Sequence, residues 1–121
     1  MNQDGRRSYQ LAVEHEVSLG KKKIRPDYVF MKNCQIFGTK VPTFVVEAKR
    51  FGKNTNQKYK GKKINGLEGH LPQLFDYLRI LCLKHNLPEL RGVLTNYQEW
   101  IFVCYNLQQE AQNVYAHLGQ I

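Results

Sequence analysis

The chain has 121 residues, of which 42% are apolar, 12% aromatic and 23% charged. That is the length of one domain and the composition of a folded globular protein, so wholesale disorder and collagen-like structure are excluded. Eighteen basic residues against ten acidic ones give a net charge of +8, which favours a polyanionic partner, most simply nucleic acid. Residues 1–10 read as a frayed polar end. From Leu11 to Leu19, the residues Leu11, Val13, His15, Val17 and Leu19 alternate with Ala12, Glu14, Glu16 and Ser18, which is the period of a strand. Gly20 and Lys21–Lys23 make a turn, and Arg25–Met31 is a second strand, hairpin-paired with the first. A polar stretch over 32–42 leads to a third strand, Thr43–Arg50, β-branched and aromatic until its charged end. Residues 51–66 are rich in glycine and lysine, lack periodicity, and read as a mobile basic loop.

A helix follows. Pro72 suits its first turn, Leu71, Leu74, Phe75, Leu78, Leu81, Cys82 and His85 recur at helical spacing, and Asn86 and Pro88 close it. Arg91–Leu94 and Trp100–Tyr105 are short strands joined by a turn, and Gln108–Leu118 is expected to form a last helix. The order β-β-β-α-β-β-α predicts an α/β layered domain with a mixed sheet. No apolar run is long enough for a membrane span and no secretory signal opens the chain, so no membrane partner is expected. Cys34, Cys82 and Cys104 are odd in number and far apart, which argues against a disulfide framework and a structural zinc. A reducing, intracellular setting (cytoplasm or nucleus) is expected.

The strongest chemical signal is charge inside two neighbouring strands. Asp27 interrupts the second strand, and Glu47 and Lys49 interrupt the third. Residues two apart on a strand point the same way, so Glu47 and Lys49 share a face and Ala48 turns to the other. With Asp27 in register on the adjoining strand, three charges converge, and such a cluster needs a metal or mutual pairing. Two carboxylates and a backbone carbonyl make a hard oxygen site for magnesium, and a lysine beside it can orient an attacking water. The bland alternative is solvated charge at strand ends. On the helix, Gln73 and Tyr77 are spaced i and i+4 beside the apolar stripe, so an amide and a phenol reach one target; the alternative is an ordinary polar flank.

The stretches RPDYVF and FVVEAKR resemble the PD-(D/E)XK nuclease superfamily: Pro26-Asp27 and Glu47-Ala48-Lys49 match its two signature elements in order. QLFDY, Gln73 to Tyr77, is similar to the Q-hydrophobic-x-x-Y element of RecB-like nucleases and of the endonuclease domain of type I restriction motor subunits. GVLTNYQEWIFV, Gly92 to Val103, resembles the restriction-subunit domain as well. The resemblance implies a restriction-endonuclease-like three-layer α/β domain, a mixed central sheet flanked by helices. Only about ten residues precede Leu11, so the first helix of that layout is absent or replaced. It further implies a site in which Asp27, Glu47 and the Ala48 carbonyl ligate Mg2+ or Mn2+. Lys49 would position the water, and Gln73 and Tyr77 would support the site. Glu14 or Glu16 could add a carboxylate.

The expected function is metal-dependent hydrolysis of phosphodiester bonds, as an endonuclease acting on DNA rather than RNA. The alternative is a catalytically inactive nuclease-like domain that binds nucleic acid or a protein. The expected backbone-binding residues are Lys22, Lys23 and Arg25 in the hairpin, with Arg50, Lys53, Lys58, Lys60, Lys62 and Lys63 leaving the third strand. Tyr59 among them could stack on a base. Such domains pair with themselves or sit within larger proteins. His70 precedes the helix and could approach the site, whereas His15, His85 and His117 read as structural or exposed. Gly61-Lys62-Lys63 lacks the upstream glycine of a P-loop.

Overall fold

The alternating run at the start of the chain is two strands, not one. A computed structural model of the chain describes residues 9–34, 39–50, 58–59, 62–63 and 66–119. Strand β1 (Tyr9–Val13) includes Tyr9 and Gln10, expected as a frayed end, and stops at Glu14, whose φ of 50° turns the backbone left-handed. The Glu14 N–H donates to the Asp27 carbonyl at 2.7 Å, which ties the kink to the later chain. Beyond it, β2 (Val17–Leu19) and β3 (Lys22–Ile24) form a hairpin of their own that buries Val17 and Ile24. Gly20, with φ 61°, takes the first of its two turn positions, where a two-residue hairpin of this hand favours glycine. Lys22 and Lys23, expected in the turn, are therefore strand residues. The second expected strand starts later, as β4 (Tyr28–Cys34), and pairs antiparallel with β1.

The main sheet adds β5 (Thr39–Ala48), β8 (Glu89–Thr95), β9 (Trp100–Asn106) and β10 (Ala111–Leu118) in the order β1-β4-β5-β8-β9-β10. Among the described strands only β5 and β8 run parallel. A parallel pair needs a crossover, and the helix α1 (Leu71–His85) supplies it. Between β5 and α1, the two-residue strands β6 (Lys58–Tyr59) and β7 (Lys62–Lys63) pair as a small ribbon. The rest of the basic stretch expected as a mobile loop, residues 51–57, 60–61 and 64–65, lies outside the described residues.

The helix runs as its spacing predicts. Pro72 stands in the first turn, where a missing N–H costs nothing, and Asn86 ends it in the left-handed conformation. Leu74, Leu78 and Leu81 are fully buried, and they share one core with Val29, Val45, Leu94, Ile101 and Val103 of the sheet. Gly92 allows this contact. A Cβ there would stand 2.8 Å from the Val45 carbonyl oxygen and 3.4 Å from Leu78.

The expected C-terminal helix over Gln108–Leu118 is wrong. Residues 107–110 are a turn with Glu110 at φ 52°, and β10 then pairs along β9. Two causes explain it. Ala111, Val114, Tyr115 and Leu118 recur at helical spacing, yet none of the residues from Ala111 to Leu118 is buried, so that stripe is not what holds the segment. The free edge of β9 meanwhile offers a ready backbone ladder, and Val114 and Tyr115 suit a strand.

The result is a mixed α/β domain of restriction-endonuclease-like layout, with a six-stranded sheet and, among the described residues, one α-helix covering one face. A helical layer on the other face, which the three-layer expectation requires, is not among the described residues. Leu11, Val13 and Phe30 are exposed there. No helix among the described residues is long and apolar enough to cross a membrane.

Candidate active site

Three separate stretches meet at one end of the sheet. In the β4–β5 ladder Tyr28 lies opposite Val46, so Asp27, one residue before β4, faces Glu47 near the end of β5. Asp27 does not interrupt a strand, as expected, but precedes one. Pro26 explains this, because proline has no N–H to give a ladder. The Asp27 N–H donates to Glu47 Oε1 at 3.1 Å, and the Ala48 N–H donates to Asp27 Oδ2 at 2.8 Å. Lys49 comes next. Its backbone N–H donates to the Thr95 carbonyl of β8 at 2.7 Å, fixing the strand end. Its ammonium donates to Glu47 Oε2 at 3.3 Å and to Gln73 Oε1 at 2.8 Å. The Gln73 amide then donates through Nε2 to the Tyr77 hydroxyl oxygen at 2.9 Å. Lys49 can only donate, so it fixes which way the Gln73 amide faces, and Tyr77 keeps its own proton free to donate elsewhere.

All five expected site residues thus form one hydrogen-bonded chain. Its centre is Glu47, only 3% exposed. Burial, and then the nearby Asp27 carboxylate, raise Glu47 from 4.5 to about 7, with Lys49 pulling the other way. Burial and then Glu47 push the Tyr77 phenol up to about 12, so it stays protonated. The groups able to hold a hard cation are the Asp27 and Glu47 carboxylates and the Ala48 carbonyl. Ala48 O leaves the strand on the same edge as Ala48 N, toward Asp27. Continuing the register brings Pro26 opposite, which has no N–H to claim that oxygen. No group of three His, Cys, Asp or Glu side chains suited to a metal exists among the described residues, so the set would be hard oxygen donors and few in number.

His70 is the neighbour that sequence reasoning only half found. It caps α1 three residues before Gln73, and its Nδ1 is buried without a hydrogen bond among the described residues. Burial and then Lys49 lower its pKa from 6.5 to about 4, which keeps it neutral. The spacing to Gln73 was the available signal. Thr95, 1% exposed beneath Lys49, carried none.

The other expectations scatter. Glu14 and Glu16 do not join the site: Glu14 lies 3.8 Å from Arg25, and Glu16 lies 3.7 Å from Lys23, both pairs well exposed. Lys22 reaches Asp76 of α1 at 3.4 Å, so the hairpin lysine leans on the helix. Arg50 is exposed just past Lys49. Lys58, Lys62, Lys63 and Tyr59 lie in the β6–β7 ribbon, whereas Lys53 and Lys60 fall outside the described residues. His117 bonds Glu99 at 2.9 Å, which fits its structural reading.

A family model described as Type I restriction enzyme R protein N terminus (HSDR_N) matches residues 4–110. No curated protein and no solved structure matches the chain.

Proposed function

The chain belongs to the family of type I restriction enzyme R protein N termini, and from that premise we propose that it is a metal-dependent DNA endonuclease of the PD-(D/E)XK kind. One observation carries the reading: Asp27, Glu47, Lys49, Gln73 and Tyr77, drawn from three distant stretches, form a single bonded chain around a buried carboxylate. A strand end that buries a glutamate beside an aspartate carries an electrostatic cost that raises Glu47 to about 7, which is typical of a site rather than a core.

The donor set fits Mg2+ or Mn2+, which favour hard oxygens and few protein ligands. Asp27 and Glu47, with the Ala48 carbonyl, would hold the ion. Bound there, it would supply positive charge against the charge that builds on the phosphoryl oxygens. The rest belongs to the chain itself. Lys49 orients the attacking water by hydrogen bonding and offsets the negative charge it gains. Gln73 holds the Lys49 ammonium on target, and Tyr77 holds Gln73. Arg50 and the lysines of the β6–β7 ribbon follow the strand that carries Lys49, so they would grip the phosphate backbone without reading sequence. The setting that goes with this reading is inside the cell, as a part of a larger restriction enzyme or as a self-paired domain.

The second reading is a nuclease-like domain that binds without cutting. It is favoured by Lys49, whose ammonium is engaged by Glu47 and Gln73 within the protein. Plasmid and single-stranded DNA incubated with magnesium, with manganese and with chelator separate the two. Metal-dependent cutting, reduced at least about a hundredfold in Asp27→Ala and in Lys49→Ala, is the expected result. Retarded DNA without cutting would transfer the assignment to the binder, and cutting indifferent to both substitutions would end the proposal.

A further inference from the structure

The loop after β8 holds an aromatic side chain that neither stability nor the proposed hydrolysis explains. Tyr97 is 62% exposed, so its ring gains little from burial. Its φ is 73°, a region that bulky side chains avoid and that glycine or asparagine fills without strain. The loop is nevertheless built to hold it so. Thr95 Oγ1 accepts the Tyr97 N–H at 2.8 Å and donates to the Glu99 carbonyl at 2.7 Å. Asn96 Oδ1 accepts the N–H groups of Gln98 and Glu99 at 2.9 and 2.8 Å. His117 ties Glu99 to β10. The ring stands edge-to-face with Trp100, centroids 6.2 Å apart at 87°, which fixes its orientation and covers at most one of its faces. The location matters as much. Tyr97 lies two residues beyond Thr95, whose carbonyl receives the Lys49 N–H, so the exposed ring and the carboxylate site share one end of the sheet.

We propose that Tyr97 is a stacking platform for an unpaired nucleobase of the strand whose backbone lies at Asp27 and Glu47. Every base has a π-face, so such a platform takes any sequence, but it requires a base free of its own stack. The substrate class is therefore nucleic acid with a single-stranded, frayed or extruded base beside the bond addressed. This deepens the nuclease reading, from which it takes the position of the backbone; the stacking contact itself needs no cutting.

The test uses the full chain in chelator, where no metal-dependent cutting competes, and reads fluorescence anisotropy of a short labelled single strand and of its abasic counterpart. Wild type should bind the base-bearing strand several-fold tighter. Tyr97→Ala should lose roughly tenfold on that strand, as removal of one stacking ring does elsewhere, and less than about twofold on the abasic one. Tyr97→Phe should keep the affinity. Tyr97→Asn guards against a folding artefact: it suits the left-handed backbone, should melt no lower than wild type, and should still lose the tenfold. Equal losses on both strands, no loss, or no preference for bases in wild type would overturn the proposal. Lys49→Ala, which removes the proposed hydrolysis, should keep the preference for bases. Should metal-dependent cutting fail while that preference holds, the nuclease reading falls and the platform stands.

Discussion

Glu47 and His70 both feel the charge of Lys49 and respond to pH in opposite directions. Glu47 titrates at about 7 in the folded chain against 4.5 when free, because burial and Asp27 disfavour its charge. Its contribution to stability is therefore complete below about 4.5 and is lost as pH rises through 7. His70 is lowered from 6.5 to about 4 by burial and Lys49, so its contribution is complete above 6.5 and lost as pH falls through 4. The two slopes overlap between pH 4.5 and 6.5 and offset each other there in wild type. Glu47→Gln removes one of them. Without metal, urea unfolding of Glu47→Gln should show stability rising with pH through 4–6.5, and at pH 8 this variant should exceed wild type by on the order of 1–3 kcal/mol. A variant no more stable than wild type at pH 8 would show that the Lys49 contact fully offsets the burial of Glu47. At this scale the sequence was informative wherever chemistry follows residue type and spacing. Glu47 and Lys49 share a face by strand period, and Gln73 and Tyr77 share one by helical period. It was silent where geometry depends on backbone angles: nothing in Asn96-Tyr97-Gln98 announces a left-handed tyrosine, and the burial of His70 Nδ1 depends on the turn that starts α1.

Among the elements, α1 was legible and β10 was not, for one reason. Helix α1 carries its own evidence in a stripe of leucines that must be buried somewhere, together with a proline start and an asparagine stop. Strand β10 carries a misleading stripe, Ala111, Val114, Tyr115 and Leu118 at helical spacing, which stays unburied while the edge of β9 holds the segment. The break at Glu14 is of the same kind, because both halves of the run keep strand period across it. Gly92 shows what a single position can decide between elements. It lies in β8 where α1 crosses, and the space a methyl group needs is already taken by the Val45 carbonyl at 2.8 Å. A backbone atom of the neighbouring strand cannot step aside as a side chain would. Gly92→Ala should therefore destabilise by about 1–3 kcal/mol despite the better strand propensity of alanine, with the same dependence on urea concentration as wild type. Gly20→Ala, where nothing lies within 4 Å and only the positive φ objects, serves as the comparison and should cost about 1 kcal/mol. An unchanged midpoint for Gly92→Ala would mean that β5 and β8 can move apart, and that α1 is not seated as tightly as the contact implies.

On the scale of the whole molecule, the candidate site lies at the carboxyl ends of the one parallel strand pair among the described residues, with the crossover helix adding its first turns. Open α/β sheets favour ligands at such ends, because neighbouring loops diverge there and leave a crevice. A ligand held by Asp27 and Glu47 therefore bridges the start of β4 and the end of β5, and it should stabilise the fold as a unit. Binding at about ten times the dissociation constant adds roughly 1.4 kcal/mol, or on the order of 5–10 °C in Tm for a domain of this size. Two features of this chain separate that effect from simple screening of its charge of +8. The first is pH: Glu47 must give up its proton to a cation, so the magnesium-induced rise in Tm should be larger at pH 8 than at pH 6. The second is Lys49, whose ammonium already serves as counter-charge to Glu47 at 3.3 Å. Lys49→Ala removes that counter-charge and leaves both carboxylates in place, so magnesium should raise its Tm by more than it raises that of wild type. Asp27→Ala should show almost no rise. Sodium chloride at equal ionic strength supplies the screening baseline. A rise equal to that baseline in all three proteins, at both pH values, would mean that the buried carboxylate pair does not capture a divalent cation.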